Sequence, residues 1–148
     1  MQLSDEVIIP APRQKVWEAL NDPDILRQCI PGCDEIIKSS DTEMSAKVTV
    51  KLGPVKASFK GAVTLSDLDP PNGYRIAGEG KSLMGGATGG ANVRLEDVPE
   101  GTKLIYDVDA QVTGKIASLA QRFIEPTARE LSAQFFKTFA AVVGGAQA

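Results

Sequence analysis

Met44-Ser-Ala-Lys-Val-Thr-Val-Lys-Leu52, Gly53-Pro54 and Val55-Lys-Ala-Ser-Phe-Lys-Gly-Ala-Val-Thr-Leu65 follow one another without a break, and their alternation indicates the architecture. Met44, Ala46, Val48, Val50 and Leu52 interleave with Ser45, Lys47, Thr49 and Lys51, a period of two that belongs to a strand with one dry and one wet face. Val55, Ala57, Phe59, Gly61, Val63 and Leu65 repeat the pattern on the return, so Gly53-Pro54 reads as the turn of a hairpin. The same period governs Glu35-Ile-Ile-Lys38 before it and residues 74–80, 87–97 and 102–112 after it, with Asp69-Pro-Pro-Asn-Gly73 as a punctuating turn. Adjacent alternating strands joined by short turns predict an antiparallel meander, curved where glycines are frequent.

The segments on either side supply one more strand and the helices. Residues 2–9 open as a strand. In Ala11-Pro-Arg-Gln-Lys-Val-Trp-Glu-Ala-Leu20, Pro12 stands near a first helical turn and Val16, Trp17 and Leu20 share a face. Asn21-Asp-Pro-Asp24 offers a cap and a proline at the first helical position, predicting a second short helix to about Cys29, stopped by Ile30-Pro-Gly32. From Gly114 to about Val143, Ile116, Ala120, Phe123, Thr127, Leu131, Phe135 and Phe139 recur every three or four residues, a core-facing stripe. Pro126 is expected to kink this helix nearby, and Glu125 and Arg129 form an i,i+4 ion pair on another face. The fold class is therefore α+β: a curved antiparallel sheet of about seven strands around a long C-terminal helix, with two short helices after the first strand. No internal boundary divides residues 1–148, so one domain is expected.

Composition limits the chemistry. A chain of 148 residues buries about 68–70% of its unfolded surface without staples. The sequence holds no histidine, which removes Ser-His-Asp and Cys-His catalysis and the His-bearing zinc sites. A net charge of −3 argues against nucleic acid as the main partner. Cys29 and Cys33 stand in C-x3-C spacing, which matches neither a thiol oxidoreductase motif nor, without a second ligand pair, a zinc site; buried structural thiols fit better, and no metal is expected. Met1-Gln-Leu-Ser-Asp-Glu6 lacks the features of a secretory signal, and no apolar run approaches the ~20 residues that span a bilayer, so the expected location is cytoplasmic.

The inner face of the sheet is unequally furnished. Residues 57–65 and 102–112 place Phe59, Val63, Leu65, Leu104, Tyr106 and Val108 there, whereas the strands between offer Ile76, Gly78, Gly80, Ala87, Gly89 and Ala91. Either the long helix presses onto the glycines, which then serve close packing, or a space remains that suits a hydrophobic ligand. Gly80-Lys-Ser-Leu-Met-Gly-Gly-Ala-Thr-Gly-Gly-Ala91 is no phosphate loop, because position 75 is Arg where the motif needs glycine and no strand-to-helix crossover surrounds it. Leu83 and Met84 read either as apolar residues on a mobile loop at a cavity mouth or as an ordinary hairpin tip. Asp107 and Asp109 share the outward face and are assigned no catalysis. Trp17 reads as core.

Val16-Trp17 with Leu20 and Asp22-Pro23, Cys29-Ile-Pro-Gly-Cys33, Val50-Lys-Leu-Gly-Pro54, Gly61, Tyr74, Gly78 with Gly80, Thr102, Leu104, Tyr106, Gly114-Lys-Ile-Ala117 and Phe135-Phe136 together resemble the carbon monoxide dehydrogenase CoxG family over nearly the whole chain. That family belongs to the START and Bet v 1-like superfamily, and the resemblance implies a helix-grip fold enclosing a hydrophobic cavity. It also implies a non-catalytic accessory role for a molybdenum hydroxylase of the carbon monoxide dehydrogenase type, linking that enzyme to the membrane and its quinone pool, with a peripheral position at the inner face of the cell membrane. Members are often longer, with a C-terminal membrane-binding segment. The sequence stops at Ala148 without one, which leaves either a truncated chain or a short member that meets the membrane transiently.

On this reading no cofactor is bound covalently, and the ligand is an isoprenoid quinone or a lipid. Its expected apolar contacts are Val48, Val50, Phe59, Val63, Ile76, Ala91, Val93, Phe123, Leu131 and Phe135, with Tyr106 and Thr127 to orient a carbonyl and Leu83 and Met84 at the mouth. The competing readings are an assembly or recruitment factor acting through its outer surface, and a small-molecule cyclase or hydrolase on the same fold.

Overall fold

The structure, a computed structural model, describes residues 1–145, so the last three residues of the expected domain lie outside the described residues. Strands β1 (Gln2–Ile9), β2 (Cys33–Ser40), β3 (Glu43–Leu52), β4 (Val55–Asp69), β5 (Gly73–Ser82), β6 (Gly85–Val98) and β7 (Gly101–Val112) form one antiparallel sheet in the order β1-β7-β6-β5-β4-β3-β2. Helices α1 (Arg13–Leu20) and α2 (Pro23–Cys29) carry the chain from one edge strand to the other, and α3 (Lys115–Gly145) packs across the inner face. The expected α+β architecture is the one observed.

Local chemistry explains the element ends. The Asp22 carboxylate accepts from the Asp24 N–H at 2.9 Å and Pro23 begins α2, a cap worth about 1 kcal/mol. Gly32 turns the chain at φ +75°, where any side chain would collide with the Thr49 carbonyl; the Thr49 N–H in turn donates to the Gly32 carbonyl at 2.9 Å. Residues 80–91 are not a loop. They are the paired ends of β5 and β6, joined at Leu83-Met84, because the Ser82 hydroxyl accepts from the Met84 N–H at 3.1 Å and donates to the Gly85 carbonyl at 3.0 Å.

The packing falls into two clusters at opposite ends of α3. At its C-terminal end Phe139 meets Ile9, Val16 and Leu104, all 0–1% exposed, and burial of Phe139 alone is worth about 2–3 kcal/mol. Trp17 is buried here too, edge-on to Tyr74 at 5.2 Å. At the start of α3, Ile116 and Ala120 pack on Leu52 and Ala57 beside the hairpin turns. The helix irregularity expected near Pro126 sits six residues earlier, at Ala120 (φ −129°, ψ 15°). Ala120 is fully buried where α3 leaves the hairpin turns to cross the sheet, so tertiary packing rather than the proline ring fixes its position.

Register explains what lies between the clusters. One cross-strand row reads Leu65, Ile76, Ala91, Val108, Leu3 and is well filled. The next two rows read Met44, Val63, Gly78, Gly89, Ala110 and Ala46, Gly61, Gly80, Ala87, Val112. They carry almost no side chain in their centre.

Candidate functional site

Over the filled row, sheet and helix flank a partly open cavity of about 380 Å³. Strands β4 to β7 contribute Val63, Leu65, Ile76, Ala91, Val93, Leu104 and Val108. Helix α3 contributes Leu131, Ser132, Phe135 and Phe136, and Leu20, Leu26 and Ile30 close one end. The volume is about two and a half times the ~150 Å³ that holds a benzene ring, room for a bicyclic ring system. Phe135 stacks on Phe139 at 5.6 Å and meets Phe136 edge-on at 4.9 Å, which holds this part of the helix face rigid.

Among the described residues, only Tyr74, Tyr106 and Ser132 bring polar side chains to the cavity. Burial pushes the Tyr74 hydroxyl well above its ordinary range. Tyr106 is also raised, by burial first and then by the Asp5 carboxylate, with the Ser132 hydroxyl and the Arg129 guanidinium pulling in the opposite direction. Both phenols therefore keep their protons at neutral pH and remain hydrogen-bond donors. No acidic or basic side chain lines the cavity among the described residues.

Beyond Ile76, Ala91 and Val108 the cavity wall continues into an open groove of about 310 Å³, floored by Gly78, Gly80, Ala87 and Gly89. A Cβ built on Gly78 would meet only the Ala62 carbonyl oxygen at 3.4 Å and Val63 Cγ2 at 3.6 Å, with no atom of α3 within 4 Å. The helix does not press on this glycine. Gly89 differs: its Cβ would lie 2.6 Å from the Asp109 carbonyl oxygen, so glycine is needed there for strand approach. The open-space reading therefore applies at Gly78, whereas at Gly89 the neighbour that requires glycine is strand β7 rather than the helix.

Of the twelve residues expected at the cavity, Val63, Ile76, Ala91, Val93, Tyr106, Leu131 and Phe135 line it. Val50, Phe59 and Phe123 do not; they pack with Leu52, Ala57, Ile116 and Ala120 near the hairpin turns, where α3 has already filled the space. Val48 is half-buried opposite Phe59 and Cys33, and Thr127 is half-buried on α3 away from the lining. Met84 joins the second cluster, its carbonyl accepting from the Ile116 N–H at 2.9 Å, and Leu83 is fully exposed. Neither borders the cavity; they stand just past the Gly80–Ala87 rung at the end of the groove.

The lining also includes residues that the sequence pattern does not single out, notably Tyr74, Ser132 and Phe136, Leu26 on α2 and Ile30 just after it. A signal exists for two of them. Leu131-Ser132 and Phe135-Phe136 are adjacent pairs four apart, and taking both members of each pair widens the helix stripe to include Ser132 and Phe136. Leu26 and Ile30 carry no such signal, because a short helix does not show which remote element it will face.

The remaining candidate groups lie outside the cavity. Cys29 is buried and Cys33 half-buried, and burial raises both thiols, so neither is a reactive thiolate at neutral pH. Asp107 and Asp109 are exposed on the outer face, accepting from Asn92 Nδ2 at 3.0 Å and the Gly90 N–H at 3.2 Å. No group of three or more metal-ligating side chains comes together among the described residues.

Residues 6–144 match the family of CoxG, a carbon monoxide dehydrogenase subunit. The chain belongs to this family. No curated protein matches the sequence. Among solved structures, a conserved protein from Geobacillus kaustophilus has 25% identity and a TM-score of 0.90, covering 98% of this chain and 96% of its own. The Zhui aromatase/cyclase from Streptomyces sp. R1128 superposes at 16% identity and a TM-score of 0.66, covering 97% and 93%. Ara h 8.0201 does so at the same identity and score, covering 97% of each chain. These likenesses show that this CoxG family member has the helix-grip fold of Bet v 1-like proteins. No helix of it among the described residues is long and apolar enough to cross a membrane.

Proposed function

We propose that the protein is a non-catalytic accessory of a molybdenum hydroxylase of the carbon monoxide dehydrogenase type. It carries a hydrophobic ligand, an isoprenoid quinone or a lipid, between that enzyme and the membrane quinone pool, working in the cytoplasm and meeting the inner face of the cell membrane peripherally. One observation carries this reading: an apolar, partly open cavity shares Ile76, Ala91 and Val108 with a groove whose floor, at Gly78, is left uncovered by the helix. A compact ring fits the first space and a flexible chain the second, and each methylene laid on the groove floor contributes up to about 0.8 kcal/mol. Tyr74, Tyr106 and Ser132 supply donors for a carbonyl or ester oxygen. A wall without carboxylate or amine favours carriage of a neutral molecule over acid–base chemistry on it.

The test is native mass spectrometry of protein purified without detergent from its own host or a close relative, followed by solvent extraction. A stoichiometric quinone or lipid is the expected result and names the cargo. Clean apo protein that still binds the hydroxylase in a pull-down would instead make it an assembly or recruitment factor with an incidental cavity.

A further inference from the structure

We propose that the end of the molecule built from the β3–β4 turn, the β5–β6 turn and the start of α3 is a docking surface for an anionic lipid membrane. Backbone contacts bring these three segments together. Ile116 N–H donates to the Met84 carbonyl at 2.9 Å, Thr113 N–H donates to the Gly86 carbonyl at 2.9 Å, and a Cβ on Gly53 would lie 2.6 Å from the Phe123 ring. From this end Leu83 projects fully into solvent and Leu119 is 58% exposed, two of the five large apolar side chains that the fold leaves exposed among the described residues.

The charge around them is predominantly positive, with Glu79 at its border two residues before Lys81. Residues 48–66, 80–93 and 110–124 contain no Asp or Glu, yet they carry Lys51, Lys56, Lys60, Lys81, Lys115 and Arg122. None of the six forms an ion pair among the described residues. Lys51 stands directly opposite Lys56, and Lys60 directly opposite Lys81, while Lys47 on the other side of Lys60 is paired with Glu35 at 3.3 Å. Like charges in register weaken a sheet, and in a chain of net charge −3 this concentration is relieved by a negative surface laid against it. Lysine is depleted in protein–protein interfaces, where arginine takes its place, so five lysines to one arginine around exposed leucines fit a headgroup layer better than a protein partner.

The position of this end gives it a use. The glycine-floored groove ends at the Gly80–Ala87 rung, and the β5–β6 turn begins at the next inward-facing pair, Ser82 and Gly85. A membrane held there lies at the open end of the route to the cavity. The inference rests on the transfer reading for its purpose, while its geometry stands on a different set of residues.

Co-sedimentation with vesicles tests it, using phosphatidylcholine alone and phosphatidylcholine with about 30% phosphatidylglycerol. The full chain should bind the anionic vesicles and not the neutral ones, and lose binding between about 0.05 M and 0.5 M salt. Combining Lys51→Glu, Lys81→Glu and Lys115→Glu, all at exposed positions, should weaken binding by more than about a hundredfold, and Leu83→Ser by about tenfold, with unchanged thermal unfolding. Ala91→Leu, which narrows the cavity, should leave vesicle binding intact, so loss of cargo and loss of docking are read separately. Equal binding by the triple variant, binding to neutral vesicles, or binding that needs a protein partner would each overturn the proposal.

Discussion

The ring of Tyr106 stacks on that of Phe136, centroids 5.0 Å apart and planes 27° from parallel, and the pair is shared by two spaces. On one side lies the apolar cavity; on the other lies a cleft of about 400 Å³ between β1 and α3, bordered by Asp5, Arg129 and Lys137. Two aromatic rings and the Ser132 side chain thus stand between an apolar cavity and a charged surface. Removing one ring should join the two. Phe136→Ala is expected to speed release of a bound apolar fluorophore in stopped-flow measurements by tenfold or more, and to cost about 2–3 kcal/mol of stability because the site is half-buried. An unchanged release rate in the folded variant would mean that the two rings are not the barrier between these spaces.

The groove floor predicts a dependence on chain length. Gly78→Leu fills open space at a strand position with ordinary backbone, so unfolding should shift by no more than about 1 kcal/mol. Affinity for a long-tailed quinone or lipid should fall about tenfold, while a tail-less ring analogue should bind as before in fluorescence titrations. Gly89→Leu is the contrasting control. Its side chain would meet the Asp109 carbonyl, and a loss of more than about 2 kcal/mol in chemical denaturation is expected.

Burial of the Tyr74 hydroxyl sets the sign of an alkaline effect. Its folded pKa is raised above the ordinary 10.0, so above pH 10 the unfolded chain releases a proton that the folded chain keeps. The stabilisation is fully present below pH 10 and is lost as pH rises through the folded value. Urea midpoints should fall as pH rises from 10, and more gently for Tyr74→Phe than for the parent. Parallel curves for the two proteins would contradict this assignment.

Among the described residues, Thr102 is the one buried polar side chain in the core, 0% exposed, and its hydroxyl donates to the Ala11 carbonyl at 2.7 Å. This bond ties the chain entering α1 to the start of β7. Thr102→Val keeps the shape and removes the donor, leaving that carbonyl without its partner. A loss of about 1–2 kcal/mol is expected, read as a fall of several degrees in Tm. No change in Tm would mean that another donor, such as water, takes over the carbonyl.

The alternation around Gly53-Pro54 and the three-to-four spacing from Ile116 to Phe139 are sufficient to specify the meander and the long helix, because periods of 2 and 3.6 are properties of the local backbone. The glycines at 78 and 80 mark where the inner face is thin for the same reason: strand parity assigns a face before any partner is known. Closure of the space over that face is a different kind of fact. Val50, Phe59 and Phe123 have the parity and spacing of cavity residues, yet they fill the cluster by the hairpin turns, since the break at Ala120 and the seating of Ile116 and Phe139 decide where α3 meets the sheet and where it lifts away. Leu26 of α2 and Ile30 just past its end close the cavity from about a hundred residues away from Leu131 in sequence. A cavity is the gap left between elements after distant contacts have placed them, and no local periodicity encodes the width of that gap.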